Sequence, residues 1–320
     1  MPRYRFFWAI VYGLLLTAFT VYAALDVFVI SRVYVVVESS DASADSDASA
    51  DADSSADNDS SDAGTTEVAG DDSSSEEIIT ETSYSDENIT ITLTEYREYD
   101  TSIYVADIVV SSAEYLQTAF AQDSYGRNVT ETTSSIAARN NAILAINGDY
   151  YGSQQTGYVI RNGVIYRSSA EKNQEDLVIY QDGSMAVINE SEISAEQLLS
   201  DGASFVLSFG PALVLDGSIA VTEDEEVGKA KTSNPRTAIG LIGELHYVFV
   251  VSDGRTDESE GLTLYQLAEF MEALGVTTAY NLDGGGSSTM YFNGQVINNP
   301  TTNGRSIKER SVSDIVYIGY

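Results

Sequence analysis

The residues best suited to chemistry lie in Asn281-Leu282-Asp283-Gly284-Gly285-Gly286-Ser287-Ser288-Thr289-Met290. An apolar run, Val276 to Tyr280, leads in, and the strand-like Thr289-Met290-Tyr291-Phe292 leads out. Three consecutive glycines lose much conformational freedom on ordering. They suit backbone at positive φ, or a ligand that approaches bare N–H groups. Asp283 supplies a fixed carboxylate at a strand end, and Ser287 and Ser288 supply hydroxyls just past the bend. This composition fits a site that holds an anion or a sugar beside a carboxylate. Taken alone, it also fits a tight turn with an Asp cap.

Other segments share the form of an apolar strand ending in polar residues. They are Asn147-Gly148-Asp149-Tyr150, Pro235-Arg236-Thr237 and Ser252-Asp253-Gly254-Arg255, and Glu309-Arg310-Ser311 joins them. Together they offer Asp149, Asp253 and Asp283 beside Arg236, Arg255 and Arg310. Arginine's planar fork binds phosphate oxygens in pairs. Carboxylates stabilise an oxocarbenium-like transition state or activate water. The combination suits a phosphorylated sugar, whereas each segment alone reads equally as a turn with a structural ion pair.

Other chemistries are narrowed by composition. The chain has no cysteine, which excludes disulfides, thiol nucleophiles and Cys-based zinc sites. Its one histidine, His246, lies in the strand-like run Glu244 to Val251 and reads as a side chain on a strand face. Ser-His-Asp catalysis and multi-histidine metal sites then drop out. The net charge of −33 argues against nucleic acid as a partner. A divalent cation is compatible with acidic groups beside an anionic substrate, but no ligand spacing establishes one.

The elements that position these residues begin near Asn88. Ile89-Thr-Ile-Thr-Leu-Thr alternates as a half-buried strand does. Asn162-Gly163, Asp182-Gly183 and Asn293-Gly294 each separate two strand runs and signal hairpins. Short helices are expected over 134–139 and 194–200, the second capped by Ser194. Leu262 to Gly275 carries Leu264, Leu267, Ala268, Met271 and Leu274 on one face, a helix stopped by Gly275. Residues 220–231 read as a charged surface loop. Residues 88–320 are therefore expected to form an α+β domain, a strand-rich mixed sheet with few helices.

Ahead of that domain, Phe6 to Leu25 runs about 20 residues without a charge, enough for one helical membrane crossing. Arg3 and Arg5 precede it, which places the N-terminus in the cytoplasm and the rest outside. Val21-Tyr22-Ala23 resembles a cleavage site, but the apolar run is long for a signal peptide, so an uncleaved anchor over residues 1–37 is preferred. Asp26 to Val37 extends the anchor or forms a membrane-proximal segment. Residues 38–87 carry 17 acidic groups and no Lys or Arg, and are expected to form a disordered linker.

The glycine motif, with Asn147-Gly148, Pro235-Arg236-Thr237, Asp253-Gly254-Arg255 and Arg310 in the same order, resembles the phosphodiester glycosidases over about residues 90–320. That resemblance implies hydrolysis of a sugar-1-phosphodiester at the anomeric carbon. It makes Asp283 the main carboxylate, as nucleophile or base, and Asp253 a second candidate. Gly284, Gly285, Gly286 and Ser287 would hold phosphate or sugar oxygens, with Asn281 and Ser288 in the same motif. Arg236 and Arg310, with Arg255 beside them, would neutralise phosphate, and Asn147 and Asp149 would position sugar hydroxyls. Animal members contain disulfides, and this chain departs from them in having no cysteine. Asp149-Tyr150 stands where some relatives have glycine and phenylalanine. With an anchor ahead of it, such a domain would act outside the cell on envelope or exopolysaccharide glycans. A membrane-tethered module that binds sugar phosphates without turnover is the alternative, and a structural envelope protein is a third reading.

Overall fold

The alternation at Ile89 is obeyed: Ile89 and Ile91 are buried while Thr90, Thr92 and Thr94 face out. The computed structural model describes residues 7–34, 77–224 and 233–320. Residues 38–76 of the linker expected over 38–87, and most of the loop expected over 220–231, lie outside the described residues.

The strand Ile89–Glu98 belongs to a nine-stranded sheet. Its order is Ser218–Ile219, Ala212–Leu215, Thr278–Asn281, Arg236–Gly243, His246–Ser252, Thr101–Val110, Ile89–Glu98, Ser83–Ser85 and Ile78–Ile79. A five-stranded sheet runs Gln295–Val296, Met290–Phe292, Leu144–Asn147, Asp314–Ile318, Leu116–Phe120. A second runs Val164–Arg167, Val159–Arg161, Ala203–Leu207, Glu175–Tyr180, Met185–Asn189. Among the described residues the named strand pairs are antiparallel, so the mixture is one of strands with helices.

Side-chain period fixes the layers. On one face of the large sheet Ala106, Ile108, Ile239, Phe249 and Tyr280 meet Leu144, Ile146, Phe205, Leu207 and Val316 of the smaller sheets. On the other face Val105, Ala238, Val248, Val250 and Ala279 meet Leu264, Leu267, Ala268 and Met271. Those last four lie on helix Leu264–Ala273, which opens with a capping box between Thr263 and Gln266. Short helices Thr133–Arg139 and Ala195–Ser200 cover the outer faces of the smaller sheets. The three expected hairpin turns form, with Asn162, Asn293 and the three turn glycines at positive φ. His246 sits on a strand face, 3.1 Å from the Asp107 carboxylate.

Two features differ from the sequence reading. Ile78–Ile79 and Ser83–Ser85 already belong to the large sheet, so ordered structure starts about ten residues before Asn88. The apolar Ile78, Ile79 and buried Tyr84 supply sheet contacts inside an acidic stretch. At the N-terminus a helix spans Phe7–Phe28. Among the described residues, however, no helix is long and apolar enough to cross a membrane.

Beyond that helix the chain docks on the domain. Arg32–Val33 pairs with Gly126–Arg127, and the Tyr34 amide donates to Tyr125 O at 2.9 Å. Ser31 Oγ donates to Asn128 O, and Asn128 Nδ2 donates to Ile30 O. Of the two readings of 26–37, the membrane-proximal segment fits residues 30–34.

Candidate functional site

Register brings the motifs together. Arg236 lies opposite Ser252, and Ala238 lies opposite Asn281. The strand ends carrying Arg236, Asp253 and Asp283 therefore emerge side by side. The smaller sheet joins them at Asn147, whose Nδ2 donates to Asp283 O at 2.6 Å, while the Asp283 amide donates to Gly148 O at 3.3 Å.

The three glycines serve close approach within the protein. Gly285 has φ +62°, and its amide donates to Pro235 O at 2.8 Å. A Cβ there would lie 2.8 Å from Arg255 Nη2, and one on Gly286 would lie 2.3 Å from Thr302 Oγ1. The expected row of amides aimed at a ligand is thus not complete, because the Gly285 amide already has a partner.

Asp283 is partly exposed beside the turn. Its Oδ2 accepts from Arg310 Nη2 at 2.8 Å, and Arg310 Nε donates to Ser287 Oγ at 2.8 Å. The Asp283 side chain is 16% exposed and that of Arg310 is 44% exposed. Burial raises the Asp283 carboxyl above the usual carboxylate range, and Arg310 pulls against that rise. Around the turn two more cations converge. Arg255 is exposed and anchored through Asn234 Oδ1 and Thr302 O. Arg236 lies buried beneath, with Nε donating to Leu262 O. Burial, then Arg255, pushes Arg236 down to about 10; burial, then Arg310, lowers Arg255. Arg255 lies close enough to lower Arg236, and Arg310 close enough to lower Arg255, so the three guanidiniums together make a locus for a multiply charged anion.

The other expected residues stand in supporting positions. Asn147 is fully buried, and its Oδ1 accepts from Thr237 Oγ1 and the Thr289 amide. Asp149 is buried and accepts from the amides of Tyr151 and Ser208 and from Arg161 Nη2. Asp253 accepts from Asn298, Asn299 and Tyr104, and so fixes the 298–299 segment. Asn281 Nδ2 donates to Gly210 O. The hydroxyl of buried Ser288 has no protein partner. Asp283, Ser287, Arg255 and Arg310 thus form the open cluster over Arg236, while Asn147, Asp149, Asp253 and Asn281 hold the walls.

Sequence reasoning missed Arg161 and Asp314. Arg161 stands beside the Asn162-Gly163 turn, ends the strand Val159–Arg161 and is 2% exposed. It sits between two carboxylates, Nη2 lying 2.9 Å from Asp149 Oδ2 and 2.7 Å from Asp314 Oδ2. Burial pushes Asp314 up, with Arg161 opposing. The available signal was a charge placed directly against an apolar strand run in each case. Among the described residues no three His, Cys, Asp or Glu side chains form a metal-holding group.

Known proteins resemble this chain in sequence and in fold. The family profile for phosphodiester glycosidase matches residues 140–319, a span that contains every residue of the cluster. The SPbeta prophage-derived uncharacterized protein YomE of Bacillus subtilis is 32% identical over 201 residues, covering 61% of this chain and 31% of that protein. Mouse N-acetylglucosamine-1-phosphodiester alpha-N-acetylglucosaminidase is 29% identical over 175 residues, covering 49% of this chain and 33% of the enzyme. The chain thus spans about a third of the length of these curated relatives. In fold it is similar to the zebrafish catalytic domain of the same enzyme, auto-inhibited by its pro-peptide. There the TM-score is 0.57 at 21% identity, over 72% of this chain and 83% of that one. A hypothetical protein from Synechocystis also gives a TM-score of 0.57 at 13% identity, over 73% of this chain and 62% of its own. With the matched profile covering more than half of its length, the chain belongs to the phosphodiester glycosidase family.

Proposed function

We propose that this protein hydrolyses a sugar-1-phosphodiester, with a sugar resembling N-acetylglucosamine, in an envelope or exopolysaccharide glycan. The observation that carries the reading is Asp283. Its partly exposed carboxyl, raised by burial, is paired with Arg310, the first of a run of guanidiniums in which Arg310 acts on Arg255 and Arg255 on Arg236. Arg310 and Arg255 hold the phosphate oxygens from the open side, and Arg236 adds positive potential from below. Ser287 donates to the same anion. The bond from the anomeric carbon to the phosphate oxygen breaks, and the phosphomonoester leaves with that oxygen. Water supplies the hydroxyl to the anomeric carbon. Asp283 acts there as nucleophile, or as the base that takes the water's proton. Asn147 holds the Asp283 backbone in place, and Asp149 and Asp253 hold the walls.

The uncharged run from Phe6 to Leu25 behind Arg3 and Arg5 supports a further part of the reading. The protein is a single-pass membrane protein, with its N-terminus cytoplasmic and its catalytic domain extracellular.

The test uses the full-length protein and a panel of sugar-1-phosphodiesters, with and without divalent cations, and measures free reducing sugar. Release that vanishes in Asp283→Asn, with the unfolding transition retained, supports the assignment. Turnover retained in that variant overturns it. Saturable sugar-phosphate binding without release favours the non-catalytic glycan-binding module.

A further inference from the structure

A cavity of about 500 Å³, within the range of small-ligand sites, is walled in part by the segment that follows Gly148. The reaction above does not use it. Its walls include Tyr34, Tyr125, Tyr151 and Tyr166, with Gln155 and with Arg167, whose buried Nη2 has no hydrogen-bond partner. The rings form one continuous surface. Tyr125 stacks on Tyr151 at 5.3 Å and 21°, and lies 5.1 Å from Tyr166 and 5.8 Å from Tyr34. Tyrosine presents an apolar face with a hydroxyl at its tip. A pyranose has the matching character, with C–H faces and a rim of hydroxyls. An amide and a guanidinium at the same wall supply donors for that rim.

Its placement ties the cavity to the reaction centre. Gly148 receives the Asp283 amide, and Tyr151, three residues on, forms the cavity wall. The Tyr151 amide donates to Asp149 Oδ1 at 2.9 Å, and its ring lies 5.9 Å from the guanidinium carbon of Arg161. Three residues of chain hold the Gly148 and Tyr151 Cα atoms within about 11 Å of each other, a length on the scale of a short oligosaccharide.

We propose that this cavity is a second carbohydrate subsite, which takes a sugar residue of the same glycan a few units from the scissile phosphodiester. The proposal rests on the glycosidase reading. It makes the protein selective for an extended glycan over a lone sugar phosphodiester. It also gives the N-terminal segment a role, since Tyr34 comes from that segment and is 47% exposed.

The experiment compares two substrates: a phosphodiester bearing one sugar, and one bearing an oligosaccharide of the same sugar. Full-length wild type, Tyr34→Ala and Gln155→Ala are assayed on both. The expected result is a rise in KM of about tenfold, or about 1.4 kcal/mol, for the oligosaccharide substrate only, with kcat unchanged. Separately, phosphate-free trisaccharides of hexose and N-acetylhexosamine are titrated calorimetrically into Asp283→Asn. Binding there that Tyr34→Ala weakens supports the subsite even if no substrate turns over. Equal KM changes on both substrates, or no trisaccharide binding to Asp283→Asn, overturn it.

Discussion

Replacing Asp176 by Asn tests the electrostatics behind the site without touching it. Asp176 lies fully buried on strand Glu175–Tyr180, and neither carboxylate oxygen has a hydrogen-bond donor. Glu190 lies against it, already accepting from the Tyr158 amide at 2.7 Å, from Ser208 Oγ at 3.4 Å and from the Glu171 amide. The proton of the pair therefore sits on Asp176. Burial, then Glu190, pushes its carboxyl up to about 9 from an ordinary 3.8. The folded state keeps this proton after the unfolded chain has lost it. The stability it contributes is complete below pH 3.8 and is lost as pH rises toward 9, at about 1.4 kcal/mol per pH unit. By pH 7 the loss is on the order of 4 kcal/mol, an upper bound for one group. Asn carries no proton to lose, and its Nδ2 can donate to Glu190. Asp176→Asn should therefore gain on wild type by about 1.4 kcal/mol per pH unit between pH 4.5 and 8. Urea unfolding followed by circular dichroism across that range measures the gap. A gap that stays constant with pH refutes the assignment of the proton to Asp176.

Two further outcomes follow from the packing. Arg161→Met leaves Asp149 and Asp314 buried without their shared cation and should destabilise the fold by about 3–5 kcal/mol, read as a lower urea midpoint. Thr263→Ala removes half of the capping box of helix Leu264–Ala273, far from the reaction centre in role. It should lower stability by about 1 kcal/mol while leaving turnover as in wild type, which thermal unfolding and the sugar-release assay check together.

Local signals carried much of this architecture. The Asn-Gly and Asp-Gly turns, the Thr263 helix and the strand alternation at Ile89 depend on neighbours a few residues away, and each formed as expected. The glycine motif and the arginines were legible as a set, because glycine runs and forked cations have few bland uses in combination. What could not be read was set by long-range pairing. Arg161 meets Asp314 across 153 residues, so no local pattern announces that pair. The role of Asn147 was misjudged for a related reason. Its side chain looks free in sequence but is fully engaged by Thr237, Thr289 and Asp283 once three strand ends meet. The domain's start was obscured by composition, since acidic neighbours hide the two isoleucines that begin the sheet.

The short seam between Arg32–Val33 and Gly126–Arg127 changes what the acidic stretch does mechanically. The chain pairs with the domain at Arg32–Val33 and again at Ile78–Ile79, so helix Phe7–Phe28 is held beside the domain by this seam. The distance from helix Phe7–Phe28 to the catalytic cluster is then set by the seam. A single proteolytic cut within 35–76 would leave the helix and the domain joined by the seam alone, turning a covalent tether into a dissociable one.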